Sequence, residues 1–193
     1  MIVSPLSVLK LVLIVLAALV LQVSGLTQMT VLGGNADLVP LVVAAIAFLA
    51  GSVPGAVTGF ATGLLLDLAL GQTVGAASLV LTTVGYAVGS YREVRDPAHA
   101  LAPIAYAAAA TAGYGFGLAA VSFMLGIEAS VSVLVLRETI LTILLNMLLA
   151  LPVFWLLRRV LGGSLLADPI ARGRHQRTRA TGPLGLRGLE VGR

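Results

Sequence analysis

Long apolar segments separated by short polar ones dominate the sequence. A helix that spans a membrane needs about 20 mainly apolar residues. The pattern predicts a last helix that ends at residue 157 and begins either near residue 131 or after residue 138. Before it, the pattern predicts five helices, at residues 6–23, 38–50, 54–70, 74–91 and 100–125.

The segment 38–91 carries one charged residue, Asp67, before the charged run that starts at residue 92. As a continuous helix it would be roughly 80 Å long, too long for two crossings of a hydrocarbon core of about 30 Å. Gly51 with Pro54 marks one break, and Gly71 marks another. These breaks give six spans in total. If 38–66 formed one helix instead, the chain would have five.

Composition places the protein in the membrane. Hydrophobic residues make up 59% of the chain and charged residues 10%, whereas soluble domains carry about 25% charged residues. We therefore expect an all-α polytopic membrane protein, a compact bundle of transmembrane helices over residues 1–161. Residues 162–193 carry six arginines against two acids, and we expect them to form a basic, disordered cytoplasmic tail.

The basic residues predict the orientation of the bundle. Cytoplasmic loops of membrane proteins are enriched in lysine and arginine. With six spans and both termini in the cytoplasm, the basic residues before the tail lie at the cytoplasmic side, apart from Arg137. The outer loops 24–37, 71–73 and 126–130 then contain no lysine or arginine. The tail is a candidate for binding anionic lipid, although topology alone explains its charge equally well.

Six positions spaced by four form the strongest pattern in the chain: Gly51, Gly55, Gly59, Gly63, Asp67 and Gly71. Within one helix such positions share a slowly drifting face. Small residues on that face let another helix approach closely, as in GxxxG packing. The partner helix is either another helix of this chain or a helix of a partner protein, and the sequence leaves both open.

Polar residues within the predicted spans are the other candidates, because such residues are costly in hydrocarbon and usually face a protein interior or a cavity. Asp67 and Arg137 are predicted at similar depths near the outer ends of their helices. They either form a pair or separately reach the headgroups. Glu138, Thr142 and Asn146 fall at i, i+4 and i+8 of the last helix. This stripe predicts hydrogen bonds between helices, with a ligand cavity as the alternative.

Motifs of catalysis and of nucleic-acid binding do not occur in the sequence. We find no GxxxxGK[ST] phosphate loop, HExxH metal motif or GxSxG nucleophile elbow, and the chain has no cysteine. The arginines are few, dispersed and not interleaved with aromatic residues, unlike those of nucleic-acid sites. We expect a protein that is not an enzyme, has no cofactor or metal and does not bind nucleic acid.

One segment combines Pro40, the run from Gly55 to Asp67, Gly75, and Gly85-Tyr86 with Gly89. In these features it resembles the rod shape-determining protein MreD family. A small-residue helix that ends in G-[FL]-x-x-G-L-L-x-D before a short turn is typical of this family. The resemblance covers residues 5–160 and is sharpest over residues 55–75. The arginine-containing tail is not a feature of the family's core.

The resemblance implies a non-catalytic, multi-pass scaffold in the bacterial cell membrane. Its partners in the cell-elongation complex would be MreC, the glycan polymerase RodA with its penicillin-binding transpeptidase, and the MreB cytoskeleton, directly or indirectly. Proteins of this family are also similar in shape to the vitamin-binding subunits of energy-coupling-factor transporters. That alternative predicts an outer pocket lined by Asp67, Arg137 and Glu138.

Overall fold

A computed structural model of the protein describes residues 5–24, 37–94, 102–126 and 133–161. All regular secondary structure in these residues is helical, which confirms the all-α prediction. The six helices are α1 (Pro5–Val23), α2 (Leu38–Ala50), α3 (Ser52–Leu70), α4 (Ala76–Val94), α5 (Ala102–Met124) and α6 (Val133–Leu161). Helix α6 begins near the earlier of the two predicted starts. The predicted tail, residues 162–193, lies outside the described residues.

The chain breaks between α2 and α3 at Gly51, so residues 38–66 do not form the single helix on which the five-span alternative depended. Gly51 has φ 105° and ψ −176°, a conformation that residues other than glycine rarely adopt. Its N–H still donates to the carbonyl oxygen of Ala47 at 2.9 Å, which closes the last turn of α2. Pro54 falls in the first turn of α3, where a missing N–H costs no helical hydrogen bond.

The predicted break at Gly71 is also confirmed. Gly71 adopts a left-handed conformation, φ 61° and ψ 27°, as residues that end helices commonly do. The N–H of Gln72 donates to the carbonyl oxygen of Asp67 at 3.1 Å. This turn reverses the chain and sets α3 and α4 antiparallel.

Three described stretches are long and apolar enough to cross a membrane: Ser52–Leu70, Ala102–Met124 and Arg137–Leu161. Two shorter apolar helices accompany them, Val8–Val23 and Leu38–Ala50. Helix α2 has 13 residues, about 20 Å of helix, and it lies at the centre of the bundle. Its residues from Val39 to Ala47 are all buried, and it contacts all five other helices.

Candidate functional site

The glycines of α3 bring its backbone against the backbone of α4. A Cβ atom built on Gly59 would overlap the carbonyl group of Leu81 and lie 3.0 Å from the backbone nitrogen of Thr82. At Gly63 the added atom would overlap the backbone of Ser78. Any side chain at either position would therefore push the two helices apart.

Helix α4 supplies a matching set of small residues. A Cβ on Gly85 would overlap the backbone of Gly55, and a Cβ on Gly89 would lie 2.5 Å from the backbone nitrogen of Ser52. The predicted stripe is thus used for packing within the chain along Gly55, Gly59 and Gly63. The sequence analysis missed this complement on α4, although the spacing of four between Gly85 and Gly89 is a signal for it.

The two ends of the stripe have a different role. Gly51 and Gly71 lie in the turns that begin and end α3, and both have positive φ angles. A Cβ on Gly71 would meet nothing within 4 Å. Backbone conformation rather than close approach explains the glycine at this position.

Asp67 caps the N-terminus of α4. Its side chain is 2% exposed. One carboxylate oxygen accepts the N–H of Gly75 at 2.8 Å, and both oxygens accept the N–H of Ala77, at 3.1 and 3.2 Å. The first N–H groups of a helix have no partner within it, and the helix dipole favours a negative charge there. These bonds explain how a carboxylate is stable inside this bundle.

Glu93 caps the N-terminus of α3, at the opposite end of the α3–α4 pair. Its carboxylate accepts the N–H of Ser52 at 2.8 Å and the hydroxyl of Ser52 at 3.0 and 3.1 Å. Each helix of the α3–α4 pair therefore carries, near its C-terminus, the acid that caps the N-terminus of the other. The sequence analysis did not identify Glu93, because 41 residues separate it from Ser52.

Arg137 and Glu138 lie on the surface of α6, where their side chains are exposed. Among the described residues, no ion pair joins Asp67 to Arg137. The carboxylate of Asp67 is directed to the N–H groups of α4 instead. The three residues predicted to line a pocket are thus in different surroundings, one buried at a helix terminus and two exposed.

Asn146 is the centre of a polar cluster, which we call the Asn146 cluster and which comprises the buried Thr111 and Asn146 and the half-buried Gln22 and Asp37. The Asn146 side chain is fully buried. Its amide donates to the carbonyl oxygen of Asp37 and to the hydroxyl of Thr111, both at 2.9 Å. The amide of Gln22 donates to the Asp37 carboxylate at 3.0 Å. The cluster joins α1, the start of α2, α5 and α6.

The predicted polar stripe on α6 is therefore divided. Thr142 and Asn146 are buried, whereas Glu138 is exposed. Asn146 forms the interhelical hydrogen bonds that the stripe predicted. Among the described residues, no group of three or more His, Cys, Asp or Glu side chains is placed to hold a metal ion.

The comparison with family models identifies the chain. The model of the rod shape-determining protein MreD matches residues 4–160, a stretch that contains both capping acids and the six described helices except the last residue of α6. No curated protein and no solved structure matches the chain. The match agrees with the resemblance given by the run from Gly55 to Asp67. The chain therefore belongs to the rod shape-determining protein MreD family of membrane proteins.

Proposed function

We propose that this protein is a non-catalytic scaffold of the bacterial cell-elongation complex in the plasma membrane. It would couple MreC and the MreB cytoskeleton to peptidoglycan synthesis by RodA and its penicillin-binding transpeptidase. The observation that carries the proposal is the family match over residues 4–160. Both termini would lie in the cytoplasm, as the distribution of basic residues predicts.

The internal use of the polar groups supports a scaffolding role. Asp67 and Glu93 are engaged by the N–H groups of α4 and α3. The amide of Asn146 is engaged by α5 and by the start of α2. Such bonds fix the relative positions of the helices, and a rigid bundle presents a constant surface to partners.

The alternative of a vitamin-binding transporter subunit has less support. It predicted a pocket lined by Asp67, Arg137 and Glu138. The carboxylate of Asp67 caps α4, and the other two side chains are exposed, so these residues do not supply that pocket. The experiment below distinguishes this alternative from the scaffold.

Purification of the tagged protein from host membranes tests the proposal. The protein is crosslinked in cells, solubilised in mild detergent, captured, and its partners are quantified by mass spectrometry. A strain with an unrelated tagged multi-pass protein at the same level serves as the control. Enrichment of MreC together with RodA supports the scaffold. Enrichment of ATPase subunits and a coupling membrane protein, with MreC at the control level, would support the transporter subunit instead.

A further inference from the structure

Asn146 has one polar atom that the Asn146 cluster does not engage. Its side-chain nitrogen donates to the carbonyl oxygen of Asp37 and to the hydroxyl of Thr111. The Thr111 hydroxyl donates its own hydrogen to the carbonyl oxygen of Ala107 at 2.8 Å, so both neighbours of the amide nitrogen are acceptors and the orientation of the amide is fixed. Among the described residues, no donor reaches the side-chain oxygen of Asn146, Oδ1, which is enclosed by protein.

The packing around this oxygen restricts what could donate to it. A buried acceptor without a donor destabilises the fold. A bound water molecule would need a cavity beside the oxygen, and the oxygen has almost no accessible surface. A hydrogen on an atom that already packs against the oxygen is then the remaining source. Proton uptake by a neighbouring acid supplies such a hydrogen without added volume.

Asp37 is the acid beside this oxygen. Because the oxygen and nitrogen of an amide group are about 2.3 Å apart, the Asn146 oxygen lies within about 5 Å of the Asp37 carbonyl oxygen, which is 2.9 Å from the nitrogen. Glu138 is eight residues before Asn146 on α6, about 12 Å along the helix. The carboxylate of Asp67 is held by the N–H groups of α4. Of the described acids, Asp37 is therefore the one placed to supply the hydrogen.

The hydrogen bonds of Asp37 differ from those of the two capping acids. Asp67 and Glu93 each accept hydrogen bonds from two different groups at a helix N-terminus. Asp37 is the N-cap residue of α2, yet its side chain makes no capping bond, and the N–H of Leu38 donates to the side-chain oxygen of Gln22 at 2.8 Å instead. Among the described residues, Asp37 accepts on its side chain only the Gln22 amide, at its Oδ1 atom. Several donors stabilise a charged carboxylate, so a single one favours the neutral acid.

The electrostatic surroundings of Asp37 also oppose its ionisation. Burial raises the pKa of the Asp37 carboxyl, the hydrogen bond from Gln22 lowers it, and the charge of Glu138 raises it. From α5, Tyr114 lies within electrostatic reach of both Asp37 and Asp67. The described ionisable side chains at this end of the bundle are Asp37 on α2, Asp67 on α3, Tyr114 on α5, and Arg137 and Glu138 on α6. Helices α1 and α4 carry their charged residues at the opposite end.

We propose that Asp37 is a proton-binding site of the folded bundle. A proton from the water at the outer side binds to the Oδ2 atom of Asp37, and the new O–H group donates to the side-chain oxygen of Asn146. The other oxygen of Asp37 still accepts the amide of Gln22. The protonated acid completes the hydrogen bonds that join α1, α2, α5 and α6, whereas loss of the proton places a negative charge near Glu138. The packing of the outer end of the bundle therefore responds to the pH outside.

Asp37→Asn tests the proposal because asparagine has the shape of the protonated acid and offers an N–H group in place of the O–H. The full-length protein in mixed micelles is unfolded with sodium dodecyl sulfate over a range of pH. Because the folded state binds the proton more tightly, the free energy of unfolding of the wild type, minus that of Asp37→Asn, should fall as the pH rises from about 3.9 to the folded-state pKa. A difference that stays constant or rises over this range would overturn the proposal.

Infrared spectroscopy detects the proton itself, because the C=O stretching band of a protonated carboxyl is separate from the bands of a carboxylate. The wild type should show this band with a titration midpoint at least one pH unit above the ordinary value of about 3.9. The band should be absent from Asp37→Asn and present in Asp67→Asn, which makes the same chemical change at the acid that caps α4. A midpoint at the ordinary value would overturn the proposal.

Asn146→Leu tests where the proton is directed. The Asp37 band should move to higher wavenumber in this variant, because the O–H group loses its acceptor, and circular dichroism checks that the variant is folded. An unmoved band in folded Asn146→Leu would overturn the bond to Asn146. Failure of any of these tests leaves the scaffold proposal unaffected, because that proposal rests on the family match.

Discussion

Replacing Gly59 with alanine tests whether backbone contact between α3 and α4 stabilises the bundle. Ordinary van der Waals contact of a Cβ atom begins near 3.4 Å. The new atom would lie 2.6 Å from the carbonyl carbon of Leu81 and 3.0 Å from the nitrogen of Thr82. Both obstacles are backbone atoms that cannot rotate away, so the helices themselves must separate.

The expected loss follows from two opposing effects. Overpacking of a close-packed interior costs about 1–3 kcal/mol, and the upper end applies here because the obstacles are rigid. Alanine in place of a helical glycine stabilises the fold by up to about 1 kcal/mol, because the unfolded chain then has less conformational entropy to lose. For Gly59→Ala we therefore expect a net decrease of about 2 kcal/mol in the free energy of unfolding.

Gly115 provides the matched control for the same substitution. A Cβ at Gly115 would lie 3.8 Å from the Thr139 methyl group, an ordinary contact, so Gly115→Ala should be neutral or stabilise by up to about 1 kcal/mol. Both variants are unfolded by increasing mole fractions of sodium dodecyl sulfate in mixed micelles, followed by circular dichroism. Equal stability of Gly59→Ala and Gly115→Ala would refute the close-contact argument.

Three further predictions concern the polar groups, measured by the same unfolding assay. Asp67→Ala should lower the free energy of unfolding by about 1–2 kcal/mol because it removes the cap of α4, and Asp67→Asn should lower it less. The effect of Arg137→Ala should add to the effect of either variant to within about 0.5 kcal/mol. A larger coupling energy would indicate an ion pair between Asp67 and Arg137. Glu93 lies beyond the predicted span 74–91, and its bonds to the first residue of α3 lower its pKa. A carboxyl whose pKa is lower in the folded state stabilises the fold at pH values above its unfolded-state pKa. The free energy of unfolding should therefore fall as the pH drops below about 4.3. Glu93→Gln should make the free energy of unfolding depend less on pH in this range, and an unchanged pH dependence would contradict the cap. Asn146→Leu leaves the partly buried carbonyl of Asp37 without this donor and should lower the free energy of unfolding by about 2 kcal/mol. A neutral result would show that the Asn146 cluster does not stabilise the bundle.

Local signals in the sequence predicted the helices well. Glycine with positive φ ends α2 at Gly51 and α3 at Gly71, and both breaks were predicted because glycine and proline interrupt helices. The start of α6 was ambiguous, because Arg137 and Glu138 interrupt the apolar pattern without breaking the helix. Their exposed side chains explain this, since a charged residue on a helix surface does not disturb the backbone bonds.

Contacts between distant parts of the chain were harder to predict. The glycine stripe on α3 was evident in the sequence, but the helix that it packs against was not. That helix is α4, because the turn between α3 and α4 sets the two helices antiparallel and brings Gly85 and Gly89 against the stripe. The bond between Ser52 and Glu93 has no local signature, because the two residues meet only once the helices are antiparallel. Asp67 is different: it lies eight residues before Gly75, next to a glycine-rich turn, where a capping role is a local possibility that the sequence analysis did not consider.

Depletion of the protein in its host tests the central claim, that it is a rod-shape scaffold, most directly. Cell shape is followed by microscopy, and new wall synthesis is followed with fluorescent D-amino acids, while expression is shut off. The account predicts rounded cells with dispersed wall synthesis, restored by wild-type protein and by Gly115→Ala and restored less well by Gly59→Ala. Cells that keep their shape and wall pattern but lose uptake of a vitamin would contradict it.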